Sequence, residues 1–239
     1  MFVGICGIIG GGKTTFCKGL SKTLNYIGLY EPVKDNSYLS DFYKFVFNFK
    51  KVQKQIDTLK IPPEERFMYE SSIPFNIQIE FLWKRYLLHQ QACFAQPGAV
   101  QDRVIYEDSI FAKMLYDDGM INKRDFLNYT GIFGAMKHTL EYPDVLIYLQ
   151  VKPEVAFERL KTRGRIEEKN VPLEYLQNLN DNYEEFIKEI STWCPVYTLD
   201  WNKNINLVNG DYEKTIQHIS EDINMRKENS NFYKRITRI

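Results

Sequence analysis

A glycine loop between two segments of regular structure constrains this chain more than any other stretch. Residues 4–16 read GICGIIGGGKTTF, and Gly7-x-x-x-x-Gly12-Lys13-Thr14 matches G-x-x-x-x-G-K-[ST]. The apolar β-rich run MFVGICGI precedes the loop, and KTTFCKGLSKTL, which reads as a helix, follows it. Gly7, Gly10, Gly11 and Gly12 let the backbone curl so that successive N–H groups point at phosphate oxygens. The positive end of the helix dipole adds to that field. Lys13 is placed to reach the outer phosphates, the Thr14 hydroxyl to hold Mg²⁺, and Thr15 completes the nucleotide-binding stretch. The competing explanation is a glycine-rich turn that binds nothing. The motif points to a nucleotide without specifying a reaction.

The rest of the chain alternates in the same way. YIGLYEP (26–32), PGAVQDR (97–103), DVLIYLQV (144–151) and CPVYTLDW (194–201) read as strands. Helices are expected at about 38–56, 75–94, 108–118, 122–140 and 172–191, and over PEVAFERLKTR, with Pro153 at its start and Gly164 at its end. Alternating strands and helices predict βαβ units, hence a doubly wound parallel sheet. At 239 residues the chain suits one domain, taken as 1–222, with a loosely held polar tail over 223–239. Thirty-one basic and 31 acidic residues cancel, so nothing electrostatic favours nucleic acid or an anionic membrane. Four scattered cysteines and three scattered histidines argue against a disulfide framework or a metal cluster and favour a reducing, cytoplasmic setting. With no apolar run of membrane-spanning length and an apolar pattern starting at Phe2, neither a membrane partner nor a leader is expected.

In a doubly wound sheet, ligands sit at the carboxyl ends of the strands. Glu31 ends the second strand there and could accept a proton from an attacking hydroxyl. Asp102 ends the third, placed like an acidic residue that holds Mg²⁺ through water, and Arg103 beside it could neutralise Glu31 or steady a transferred phosphoryl group. A solvated glutamate and a simple ion pair are the plainer alternatives. Arg159, Arg163 and Arg165 cluster at a helix end, suited to a lid over phosphates or to pairing with Glu167 and Glu168. In helix 75–94, Gln78, Arg85 and His89 form one polar stripe between apolar flanks, so they need hydrogen-bonding partners. A nucleobase would supply them; so would an internal network such as Arg85 with Asp108.

Taken together, GIIGGGKTT, EPV, FNIQ, QDRVIYEDSIFA, VLIYLQVKPEVAFERLKTRGRIEE and VPLEYLQNLNDNYEEF resemble the deoxynucleoside kinase family, over about residues 2–190. The resemblance implies an α/β phosphate-loop kinase fold: a five-stranded parallel sheet surrounded by helices, with an arginine-rich lid at about 163–170. It also implies a homodimer, with ATP and Mg²⁺ acting on a deoxynucleoside 5′-hydroxyl. By that resemblance Glu31 is the general base, Arg103 steadies the 5′-oxygen, and Arg159, Arg163 and Arg165 are lid arginines. Glu168 and Tyr69 would hold the sugar 3′-hydroxyl, Gln78 would pair with the base, and Phe111 would stack on it. Arg85 with Asp108 resembles the deoxycytidine and deoxyguanosine enzymes and argues against thymidine. The family's ERS is DRV here, and EPVxxNxYL is similar to the bacterial purine enzymes, so a purine deoxynucleoside is expected, with deoxycytidine as a further substrate. Two other functions fit less well. A nucleoside monophosphate kinase would need further cations for its acceptor. A non-catalytic relative would have been free to lose Lys13, Glu31 or Arg103. NKNI at 202–205 lacks the aspartate of a guanine-specifying N-K-x-D.

Overall fold

The computed structural model describes residues 1–31, 36–58, 73–165, 168, 171–203 and 211–236. Its centre is a five-stranded, all-parallel sheet of β1 (Phe2–Cys6), β2 (Ile27–Leu29), β3 (Ala99–Asp102), β4 (Val145–Gln150) and β5 (Val196–Asp200), in the order β2-β3-β1-β4-β5. Parallel strands need crossovers, and helices supply them: α1 (Lys13–Leu24), α2 (Leu39–Thr58), α3 (Ile73–Phe94), α4 (Asp108–Asp117), α5 (Lys123–Lys137), α6 (Pro153–Arg163), α7 (Leu173–Ile190) and α8 (Asp211–Ile236). From β1 the chain crosses to the edge strand β2, comes back to place β3 between them, and then builds β4 and β5 on the other side of β1. The switch point therefore lies at the carboxyl end of β1, where the glycine loop begins.

Burial explains the strand compositions. β1 and the first five residues of β4 are wholly buried, as internal strands covered on both faces must be, whereas the edge strand β5 is only partly covered. Helix ends follow local chemistry. Asn25 closes α1 in the left-handed region, the Asn122 side chain accepts from Asp125 N at α5, and Gly164 (φ 65°) ends α6. Helix α7 buries Leu176, Leu179, Tyr183, Phe186 and Ile190, one stripe at helical spacing. Phe42, Ile77, Leu115 and Ile121 form a second, smaller apolar cluster beside the main core.

The expected elements are present, most within a few residues of their expected bounds. The segment from residue 223, expected as a polar tail, begins inside a helix. Helix α8 passes through Asp222 without a break, and Tyr212, Ile216, Ile219 and Ile223 are buried along it. This narrow stripe packs against α1, where the Tyr212 hydroxyl donates to Thr15 O at 2.7 Å. Among the described residues the buried stripe of α8 ends at Ile223, while the helix itself continues to Ile236. No described helix is long and apolar enough to cross a membrane.

Candidate active site

The carboxyl ends of β1, β2 and β3 open onto a cavity of about 790 Å³. One end is the phosphate loop. Gly10 has φ 80°, and a Cβ there would meet Ala156 O at 2.6 Å, so α6 packs directly on the loop backbone. Gly12, also left-handed, is the N-cap of α1, so the helix N-terminus faces the cavity. Gly7 and Gly11 shape the turn, with Gly11 N donating to Ile8 O at 3.1 Å. The Lys13 ammonium donates to Gly7 O (2.8 Å) and Ile8 O (2.9 Å), folded over the loop. Its burial, with the Arg103 charge adding, lowers its pKa to about 8. The Thr14 hydroxyl donates to Asp102 Oδ2 at 2.5 Å, and Thr15 lines the same end.

Glu31 and Arg103 stand across from the loop. Glu31 Oε1 takes Arg85 Nη2 at 2.5 Å and Arg103 Nε at 3.2 Å. Burial alone would raise the Glu31 pKa, but the charges of Arg103, Arg85 and Lys13 outweigh it and hold the carboxyl at about 2. The group is thus ionised at neutral pH. Arg103 adopts φ 67°, a left-handed backbone uncommon for a side chain of this size. It is kept there by its N–H to Ile5 O (2.9 Å) and by Gln101 Nε2 to its carbonyl (3.1 Å).

A stability prediction follows from Glu31. Its folded pKa lies below the ordinary glutamate value, so the stabilisation is complete above about pH 4.5 and is lost as pH falls toward 2. The size is about 3 kcal/mol. Urea unfolding of wild type against Glu31→Gln should show a gap that is flat from pH 7 to 5 and narrows below it; a gap independent of pH would refute the pairing.

The third wall is helical. Gln78 and Arg85 from α3, and Asp108 and Phe111 from α4, line the cavity with Phe42, Ile77 and Leu115. Arg85 is ion-paired with Asp108 and also bonded to Glu31, so one guanidinium joins two carboxylates; the Arg85 and Asp108 side chains are each only 3 % exposed. The Arg103 guanidinium lies 4.8 Å from the centre of the Phe111 ring. His89 leaves this group. It packs edge-on against Phe2 and Tyr106, its Nε2 sits 2.9 Å from Glu141 O, and burial lowers its pKa to about 4, making it a core histidine.

Arg159, Arg163, Arg165 and Glu168 line the cavity from the α6 side. Arg163 and Arg165 both pair with Glu168, Arg163 through Nε at 3.1 Å and Arg165 at 3.3 Å. Arg159 instead donates to Trp201 O (2.7 Å), Lys203 O (3.0 Å) and Gly11 O (3.5 Å), strapping the segment after β5 to the loop. Tyr69 lies outside the described residues.

Two residues that the sequence did not single out stand behind the site. Glu107 is fully buried, and its oxygens accept from Val104 N (2.8 Å), Arg103 Nη1 (3.3 Å), Gly7 N (3.4 Å) and the Tyr183 hydroxyl (2.6 Å). The i,i+4 spacing of Arg103 and Glu107 was the available signal.

The deoxynucleoside kinase family model matches residues 3–224. The chain is 38 % identical to the deoxyadenosine kinase of Dictyostelium discoideum over 217 residues, 88 % of this chain and 79 % of that one. It is 35 % identical to the deoxyadenosine/deoxycytidine kinase of Bacillus subtilis over 222 residues, covering 92 % and 89 %. Among solved structures it matches the deoxyadenosine kinase of M. mycoides with products dCMP and dCDP bound, with a TM-score of 0.72 and 29 % identity, covering 94 % of this chain and 100 % of that one.

Proposed function

The chain belongs to the deoxynucleoside kinase family, and from that premise we propose that it moves the γ-phosphoryl group of ATP to the 5′-hydroxyl of a purine deoxynucleoside, with deoxycytidine as a further substrate. The observation that carries this reading is an ionised Glu31, clamped by Arg103 and Arg85, in the same cavity as the phosphate loop. In the proposed mechanism the loop N–H groups and Lys13 hold the triphosphate. Glu31 accepts a hydrogen bond from the 5′-hydroxyl and takes its proton as the phosphoryl group leaves. A carboxylate with a pKa of about 2 is a weak base, so its larger contribution is to orient the hydroxyl. That suffices for a loose phosphoryl-transfer transition state, in which the nucleophile needs little activation. Arg103 neutralises charge near the acceptor oxygen, and Arg163 and Arg165 do so on the donor side.

The residues present fit Mg²⁺. Asp102 Oδ1 is buried without a partner, its other oxygen bonds the Thr14 hydroxyl, and both are hard oxygen donors. Thr14 and Asp102 would hold the ion, which when bound supplies charge neutralisation to the phosphates.

Gln78, Asp108 and Arg85 would read the base edge, and Phe111 would stack on it. Glu168, with Tyr69, would hold the 3′-hydroxyl. The names of the relatives favour adenine and cytosine as bases. Thymidine is disfavoured because the buried Arg85–Asp108 pair occupies the place where thymidine enzymes leave room for the methyl group. A monophosphate acceptor fits poorly, since Arg85 and Arg103 are both committed to carboxylates. ATP consumption with deoxyadenosine, deoxyguanosine, deoxycytidine, thymidine and dAMP tests the reading. Turnover is expected with the purines and deoxycytidine, at least about tenfold above thymidine. Thymidine as best acceptor would overturn the base assignment, and dAMP as best acceptor the reaction.

A homodimer is part of the same reading. Trp83 and Leu87 of α3 and Leu127 of α5 are large exposed apolar side chains on neighbouring helices, and Gly131 and Gly134 leave α5 open to close approach. A monomeric mass in solution would remove it. All four cysteines are free thiols, which supports a reducing, cytoplasmic setting.

A further inference from the structure

Glu107 and Tyr183 lie outside the cavity lining, yet both donor and acceptor machinery hang from them. Tyr183 reaches from α7; its hydroxyl accepts from Arg103 Nη1 and donates to Glu107 Oε2 at 2.6 Å. The same carboxylate oxygen takes the N–H of Gly7, the first residue of the phosphate loop. Arg103 is therefore pinned at two nitrogens, Nε on Glu31 and Nη1 on Glu107 and Tyr183. A planar guanidinium held at two corners cannot rotate.

We propose that Glu107 and Tyr183 are positioning residues for phosphoryl transfer, a buried carboxylate–phenol pair that sets the spacing between the phosphate loop and Arg103. The proposal rests on Arg103 being the acceptor-side clamp. Arg103 occupies a left-handed backbone conformation, which persists only where the surroundings over-determine it, and Glu107 supplies part of that restraint. Glu107 also fixes the turn after Arg103 by accepting from Val104 N. One side chain thus holds the arginine's head, the turn that follows it, and the start of the loop across the sheet. Displacing reacting groups by about an ångström costs as much as 10²-fold in rate even when the chemistry itself is untouched.

The test is Tyr183→Phe, which removes one oxygen and keeps the ring against Phe111, Tyr148 and Phe186. Glu107→Gln serves as the second variant, and both are also made in an Arg103→Lys background. Steady-state kinetics with MgATP and deoxyadenosine should show kcat down about 10–100-fold with both KM values within about threefold. In the Arg103→Lys background the same changes should cost little more, since there is no fork left to position. If Arg103→Lys lowers kcat but Tyr183→Phe does not, the pair only supports the fold and the proposal is overturned while the role of Arg103 stands. If Arg103→Lys itself leaves kcat unchanged, the clamp reading fails and takes this proposal with it.

Discussion

Replacing Glu31 by glutamine is expected to lower kcat by about 10²–10⁴-fold, the range for loss of a positioned general base, with the KM for ATP little changed. Glutamine keeps the shape and can still accept a hydrogen bond. What it lacks is the negative charge that orients the 5′-hydroxyl and receives its proton. The loop, Lys13 and Thr14 are not bonded to Glu31, so donor binding should persist. Glu31→Asp separates charge from reach: it keeps the carboxylate and shortens it by one methylene, and should fall between the two. Both variants need only initial rates at saturating ATP. Full activity in Glu31→Gln would make Glu31 an anchor for Arg85 and Arg103 and would move the base elsewhere.

Arg85→Met is expected to cost about 3–5 kcal/mol of stability, as breaking one side of a buried pair does. Arg85 neutralises Asp108 and shares Glu31 with Arg103. Without it Glu31 keeps a cation, but Asp108 is left charged and buried. Asp108→Asn in the Arg85→Met background should therefore recover much of the loss, a coupling that denaturant unfolding measures directly. The double variant should also accept thymidine better relative to deoxyadenosine, because the charged pair beside the base has gone. Additive losses in the double variant would show that Arg85 and Asp108 do not depend on each other.

Local chemistry made much of this molecule legible from its residues. The glycine loop needs only its own spacing and a strand before it; Pro153 and Gly164 mark the two ends of α6. Glu31 and Arg103 could be found because strand ends in a parallel sheet converge. The parts that stayed hidden depend on partners distant in sequence. Arg85 was matched with Asp108, 23 positions away, but its bond to Glu31 spans 54 positions and arises only when α3 packs beside the end of β2. Glu107 and Tyr183, 76 positions apart, show nothing unusual until α7 lies across the sheet. His89 had the right helical spacing for the site, yet it sits far enough along α3 to meet Phe2 at the opposite end of β1. The continuation of α8 past residue 222 was obscured by a polar composition, because its buried stripe of Tyr212, Ile216, Ile219 and Ile223 is a single row of side chains in the first half of the helix.

The order of the strands has a consequence for synthesis. β1 is translated first but sits at the middle of the sheet, and its neighbours β3 and β4 begin only at Ala99 and Val145. At ribosomal speeds, β1 waits roughly 5–20 s for even its first neighbour. Through that interval an entirely apolar strand edge has no native partner, and the nascent chain is a client for any chaperone that recognises extended hydrophobic segments.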